Sequence, residues 1–189
     1  MARLPYVAPD GDVTARILTR RGGKLTALDG MLLHSPEFAD GWNSMLGAVR
    51  GQSTLPADVR ELVILRVASR NGASYEWAAH APVARQAGLG DEQLAMISVG
   101  GGGAAGGSAG FPAASGAGAL SPAQWAALAY ADAMTVHVAV PDEVFGALRA
   151  HFDERQVLEL TVTVATYNMV SRVLVALDVR AGADPFGTG

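Results

Sequence analysis

The twenty residues Glu61-Leu-Val-Ile-Leu-Arg-Val-Ala-Ser-Arg-Asn-Gly-Ala-Ser-Tyr-Glu-Trp-Ala-Ala-His80 set the organisation of the chain. Val59, Leu62, Val63, Leu65 and Val67 recur at helical spacing. Asn71-Gly72 then stops the helix, because both residues tolerate left-handed dihedrals. With Ser74 as the cap of a new helix, Glu76 and His80 fall at i and i+4 on one face, where a carboxylate can orient an imidazole. Glu61 lies one helix earlier and reaches the same place only if the two helices pack as an antiparallel pair. A carboxylate in so apolar a helix needs a partner, which marks Glu61 as part of a site or of a buried network.

Outward from this hairpin the signals remain helical. Leu25 to Leu33 forms a short helical pattern, and Ser35-Pro36-Glu37 starts a helix running to about Val49 with Pro at its first position and an acid in its first turn. The helix from Ser74 reaches about Ala87, with Pro82 inside it predicting a kink one turn after His80. Gly90-Asp91-Glu92 opens a short helix to about Ile97. Ser121-Pro122-Ala123-Gln124 is a capping box for a helix to about Thr135, Val140-Pro141-Asp142-Glu143 begins another, and Asp153 to Gln156 repeats the capping-box spacing. That last box opens the longest helix, to about Val179. Its run of β-branched residues, Thr161 to Val164, suits a strand, but about 25 residues without a turn signal argue for helix.

These signals predict an all-α protein: one helical bundle of seven or eight helices over residues 25–180. Residues 1–24 read as an extended N-terminal arm and 181–189 as a loose tail. Residues 100–118 hold nine of the 23 glycines and no charge, which reads as a surface loop or lid. It lacks the preceding strand and the Lys-Ser/Thr ending of a phosphate-binding loop.

Composition narrows the function. A content of 50% hydrophobic and 17% charged residues is globular. The net charge of −4 without a basic run argues against nucleic acid and anionic membranes as partners. No stretch approaches a signal-peptide core or the roughly 20 apolar residues of a membrane span, so a soluble cytoplasmic protein is expected. Cysteine is absent, which removes thiolate nucleophiles, dithiol redox pairs and cysteine-ligated metals.

The order of these signals, Ser-Pro start, Leu55-Pro56 followed by Arg60-Glu61-Leu62, Tyr75-Glu-Trp-Ala-Ala-His80, Ala87-Gly-Leu89, then Tyr167-Asn168 and Ser171-Arg172 in the long helix, resembles the carboxymuconolactone decarboxylase family. That superfamily also contains the alkylhydroperoxidase-D-like proteins. The resemblance covers about residues 25–179 and is strongest over 55–89. In the peroxidase branch a Cys-x-x-Cys-x-x-x-His segment carries the redox chemistry with an upstream glutamate. Aligning that histidine with His80 puts the cysteine positions at Ala73 and Glu76 and the glutamate at Glu61. With both thiols replaced, thiol peroxidase activity is chemically closed.

The resemblance implies a cofactor-independent decarboxylase acting on a carboxylated lactone or related carbonyl acid. Such a reaction needs a donor for the dienolate oxygen, a cation for the substrate carboxylates and an acid that returns a proton to carbon. His80, Glu76 and Glu61 are the catalytic candidates. Tyr75, Trp77, Arg66, Arg85 and Arg172 are the substrate-binding ones, with Arg70 a further possible clamp. Tyr75 and Trp77 read more readily as packing residues. His34, His137 and His151 read as structural, and Asn168 with Arg172 as facing the site or bracing a subunit contact. A metal held by His80, Glu76 and Glu61 is not favoured, since no zinc-type histidine spacing supports it. The family also implies a homo-oligomer, a trimer or hexamer. The rival readings are another proton transfer on a carbonyl compound, such as isomerisation or elimination, and a non-catalytic binding protein.

Overall fold

The computed structural model describes residues 2–98 and 120–187. Among them are nine α-helices and no strand: α1 (Asp12–Arg20), α2 (Ala27–Leu32), α3 (Pro36–Gly51), α4 (Ala57–Arg70), α5 (Ser74–Gln86), α6 (Asp91–Ile97), α7 (Pro122–His137), α8 (Asp142–Arg149) and α9 (Glu154–Ala176). The all-α expectation holds. The Gly-rich stretch read as a lid lies outside the described residues.

Helix α4 is the axis of the bundle, packed on α5, α7 and α9. Leu62, Val63, Ile64 and Leu65 are each wholly buried. Four consecutive residues span the full circumference of a helix, so α4 is enclosed on every side. Glu61 lies within this enclosure at 2% exposure and therefore has to find its partner inside the protein. The turn after α4 forms as the sequence predicts, with Gly72 at φ +67° and the Ala73 amide donating to the Ala68 carbonyl at 2.8 Å. It sends α5 back along α4.

The long helix is continuous despite its β-branched run. Leu160, Val164, Tyr167, Val170 and Leu174 form its buried face at spacings of three and four. Thr161 and Thr163 return their hydroxyls to the carbonyls of Val157 and Glu159, both at 2.7 Å, so neither leaves a polar group unpaired. The capping boxes at Ser121/Gln124 and Asp153/Gln156 both form.

Three boundary expectations are corrected. Residues 12–20, read as part of an extended arm, form α1. The flanking Pro and Gly of that region outweighed an amphipathic pattern in which Thr14 and Ile17 face inward. Ser74 is the first residue of α5 rather than its cap, which falls on Ala73 without a side-chain hydrogen bond. The tail read as loose is seated through residue 187: Asp184 pairs with Lys24 at 3.0 Å, and Phe186 packs with Ile17, Leu25, Leu33 and Ala39 in a small second core. The N-terminal residues join it, as the Val7 amide donates to the Gly30 carbonyl and the Pro5 carbonyl bonds His34 Nε2 at 2.7 Å.

Candidate active site

The antiparallel pairing of α4 with α5 brings Glu61 onto His80, with Glu61 Oε2 2.7 Å from His80 Nδ1. Helix α9 closes the other side. The Tyr167 hydroxyl is 3.2 Å from His80 Nε2, and the two rings meet edge to face with centroids 5.0 Å apart. The far end of the line is on α3, where Arg50 Nε donates to the same hydroxyl at 2.7 Å and its guanidinium carbon lies 5.7 Å from the Tyr167 ring centre.

Donor order follows from this network. Arginine has only donors, so the phenol oxygen accepts from Arg50 and its own hydrogen goes to His80 Nε2. That assigns the imidazole hydrogen to Nδ1, where it meets the Glu61 carboxylate. Burial pushes the Tyr167 phenol up to about 12 against the lowering influence of Arg50, so the hydroxyl keeps its proton at neutral pH. The result is a continuous line, Glu61–His80–Tyr167–Arg50, drawn from four helices. Arg60 adds a charge at its inner end, with Nε 3.5 Å from Glu61 Oε1.

Glu76 occupies a different position from the one its i, i+4 spacing predicts. Both imidazole nitrogens are already taken, and Glu76 bonds instead to the Ser171 hydroxyl at 3.1 and 3.2 Å. At 2% exposure, burial raises its pKa to about 8 against the lowering pull of Ser171 and Arg50, which makes it a neutral carboxylic acid at pH 7. Such a group beside the relay can hold and release a proton near neutrality.

The arginines read as clamps are engaged elsewhere. Arg66 and Arg70 both grip Asp132 of α7, each through two nitrogens, and Arg66 also reaches the Ile97 carbonyl. Arg66 is five residues from Glu61, about 140° around the helix, so it faces α7 when Glu61 faces α5. Arg85 pairs with Asp91 at the surface, and Arg172 bonds the Asn168 carbonyl and side chain. Trp77 is half-buried against the main core. Tyr75 is half-buried too and lines an open cavity of about 530 Å³ beside Lys24 and Asp184.

Three central groups escaped the sequence reading. Tyr167 and Ser171 stand four apart on the buried face of α9, a spacing visible in the Tyr-Asn and Ser-Arg pairs, but nothing local ties them to α5. Arg50 reads in sequence as a basic residue suited to a helix C-terminus. Only the packing of α3 on α9 gives it a role. Among the described residues, no group of three or more metal-ligating side chains is assembled.

The fold and this buried line define a cysteine-free, AhpD-like helical protein. Residues 36–120 match the model of the carboxymuconolactone decarboxylase family, and the fold is AhpD-like. The chain is 27% identical over 134 residues to the uncharacterized protein YdfG of Bacillus subtilis, covering 70% of this chain and 82% of that one. It superposes on the AhpD core of a peroxidase-related protein from Ralstonia eutropha with a TM-score of 0.75 at 19% identity, over 98% of this chain and 94% of the other. A debrominase, Bmp8, in complex with 2,3,4-tribromopyrrole gives a TM-score of 0.72 at 18% identity, over 98% and 96% of the two chains.

Proposed function

We propose that this protein is an acid/base enzyme that decarboxylates a small carboxylated lactone or related carbonyl acid without a cofactor. The observation that carries the reading is the buried Glu61–His80–Tyr167–Arg50 line, which ends on a cation facing a cavity. Loss of CO₂ from such a substrate breaks a carbon–carbon bond and leaves its electron pair in a dienolate. The product then needs one proton at carbon. Within the line, Tyr167 is the proton donor next to Arg50, whose guanidinium lines the cavity. Its phenolate, once formed, is stabilised by the Arg50 N–H and is reprotonated from solvent through His80, with Glu61 balancing the imidazolium. Glu76, neutral at pH 7, is a second proton store on the same helix as His80. The match of residues 36–120 to the carboxymuconolactone decarboxylase family supports the decarboxylase choice. The likeness to a debrominase supports the fold alone, and the lack of cysteine argues against thiol chemistry here.

The test is the loss of ultraviolet absorbance and release of CO₂ from γ-carboxymuconolactone by wild type, His80→Ala and Tyr167→Phe, with folding matched by circular dichroism. Turnover in the wild type that falls by roughly two orders of magnitude or more in both variants is the expected result. A wild type inert on this lactone but active in isomerising or eliminating a related carbonyl acid keeps the relay and replaces the reaction. Full activity in both variants removes the relay from the chemistry.

A further inference from the structure

Helix α9 turns one face into the bundle and leaves the opposite face bare. Leu158, Val162, Ala165, Met169, Arg172 and Ala176 are exposed, and their spacing alternates between four and three residues. That alternation is the seam an α-helix offers to a second helix, each side chain entering a hole made by four others. A solvated helix face needs no such order and is normally polar. This seam carries one charge, Arg172, and Leu158 at its N-terminal end is 63% exposed. The buried Leu160, Tyr167 and Leu174, seven apart, run down the other side of the helix. The seam therefore points directly away from the helices that already cover α9.

Apolar groups of α7 and α8 widen it. The Tyr130 hydroxyl is hydrogen-bonded with Thr161 at 2.8 Å, and its ring meets that of Phe145 with centroids 6.5 Å apart. This places the exposed Phe145 beside the N-terminal half of the seam. Asn168 bonds the Thr135 hydroxyl at 3.0 Å, which brings the end of α7, with Val136 and Val138 exposed, alongside the C-terminal half. From Leu158 to Ala176 the seam is about 27 Å long and one helix wide, about 10 Å, so it covers about 270 Å². Contiguous apolar surface on this scale marks an interaction site. A standard interface takes roughly 800 Å² per partner, so α7 and α8 must share in the contact.

The seam is complementary to itself. Two copies of α9 laid antiparallel about a two-fold axis between residues 163 and 164 set Leu158 against Met169 and Val162 against Ala165, and symmetry repeats both pairs. All four layers are then apolar. Arg172 falls beside Arg155 of the second copy, which is already neutralised by Glu159 at 2.9 Å. At that end of the helix Asp153, Glu154 and Glu159 outnumber Arg149 and Arg155. Within its own chain Arg172 bonds Asn168 and, among the described residues, has no carboxylate partner. A shift of one heptad in either direction sets an arginine against an apolar residue, Arg172 against Val162 or Arg155 against Ala165.

We infer that α9 docks on α9 of a second copy of this chain, antiparallel, with the two-fold axis between residues 163 and 164. Tyr167 and Ser171 lie on the reverse of the docked helix, so the contact stands whether or not the buried line is catalytic.

Sedimentation of the full chain at micromolar concentration is expected to give an assembly of two chains or a multiple of two. Val162→Glu with Met169→Glu, both at exposed positions, should halve that mass or lower it further while circular dichroism shows the helices retained. Because the chain has no cysteine, cross-linking can read the register. Leu158→Cys combined with Met169→Cys should oxidise to a covalent dimer on a non-reducing gel. Neither single variant should, since the two-fold holds its two thiols roughly 16 Å apart along the helices, far beyond disulfide reach. The same spacing forbids a bridge between the two positions within one chain. A monomeric wild type, which would leave the seam to a different protein, overturns the inference. So does an assembly with an odd number of chains, a mass unchanged by the two glutamates, or single-cysteine variants that cross-link as fully as the double.

Discussion

At the scale of single residues, the site divides its two glutamates by environment. Glu61 has an imidazole and a guanidinium beside it, whereas Glu76 has a serine hydroxyl. A carboxyl whose folded pKa lies near 8, against an ordinary 4.5, keeps its proton in the native state where the unfolded chain has lost it. Between those values the unfolded state binds fewer protons, so stability falls as pH rises. The slope is on the order of 1 kcal/mol per pH unit. Below pH 4.5 and above about 8 the contribution is flat. Glu76→Gln replaces the neutral acid with a neutral amide of similar shape. Urea unfolding of both proteins from pH 5 to pH 9 should therefore show the variant gaining on the wild type up to about pH 8 and no further. A constant difference across that range would mean that Glu76 titrates normally. Sequence reading found Glu61, Glu76 and His80 because buried acids and a histidine within twenty residues are conspicuous. It joined the wrong pair because i, i+4 spacing permits a contact but does not choose between rival partners. The choice was made by Tyr167 and Arg50, which stand 87 and 30 residues from His80 and occupy or bracket its second nitrogen.

At the scale of elements, α4 is fastened to its neighbours by apolar packing and by polar contacts on two faces, Asp132 of α7 on one and His80 of α5 on the other. Asp132 receives four nitrogen contacts of 2.7 to 2.8 Å from Arg66 and Arg70, which lowers its pKa even though burial alone would raise it. Asp132→Ala strands two guanidiniums that are 12% and 18% exposed, and the expected loss is about 3 kcal/mol. Arg85→Ala breaks an ion pair whose side chains are 54% and 84% exposed, and should cost under about 1 kcal/mol. Chemical denaturation of the two variants gives the contrast directly, and equal losses would refute it. Helices were legible wherever a cap and a periodic run coincided, as at Ser121 and Asp153. The β-branched centre of α9 kept its helix because caps and length outweigh local propensity. α1 was hidden because its cap residue, Gly11, offers no side-chain acceptor, and because glycines and prolines dominate its surroundings.

At the scale of the whole molecule, the two ends of the chain meet over α2. Arg3 bonds the carbonyls of Leu177 and Ala176, Tyr6 and Phe186 pack beside Gly30, and Lys24 pairs with Asp184. None of these contacts has a sequence signature, since each joins residues more than 20 positions apart through single side chains or backbone groups. They support the short helix that carries Leu28 and Asp29 into the cavity lined by Arg50. Gly30 tests whether the clasp holds. A Cβ there would lie 2.7 Å from Phe186 Cζ and 3.3 Å from Tyr6 Cβ, so Phe186 must move. Against that cost, alanine is favoured over glycine in a helix by about 1 kcal/mol. The two effects separate in a double-mutant cycle. In a Phe186→Ala background the 2.7 Å clash is removed and only the 3.3 Å approach to Tyr6 Cβ remains, so Gly30→Ala should stabilise by up to roughly 0.5–1 kcal/mol. In the wild-type background the same change should gain less or destabilise. Thermal unfolding of the four proteins reads this as a coupling, with 1 kcal/mol worth roughly 2–4 °C at this chain length. Strictly additive shifts would show that Phe186 does not rest on Gly30, and that α1 and α2, with the cavity between them, are held by the bundle alone.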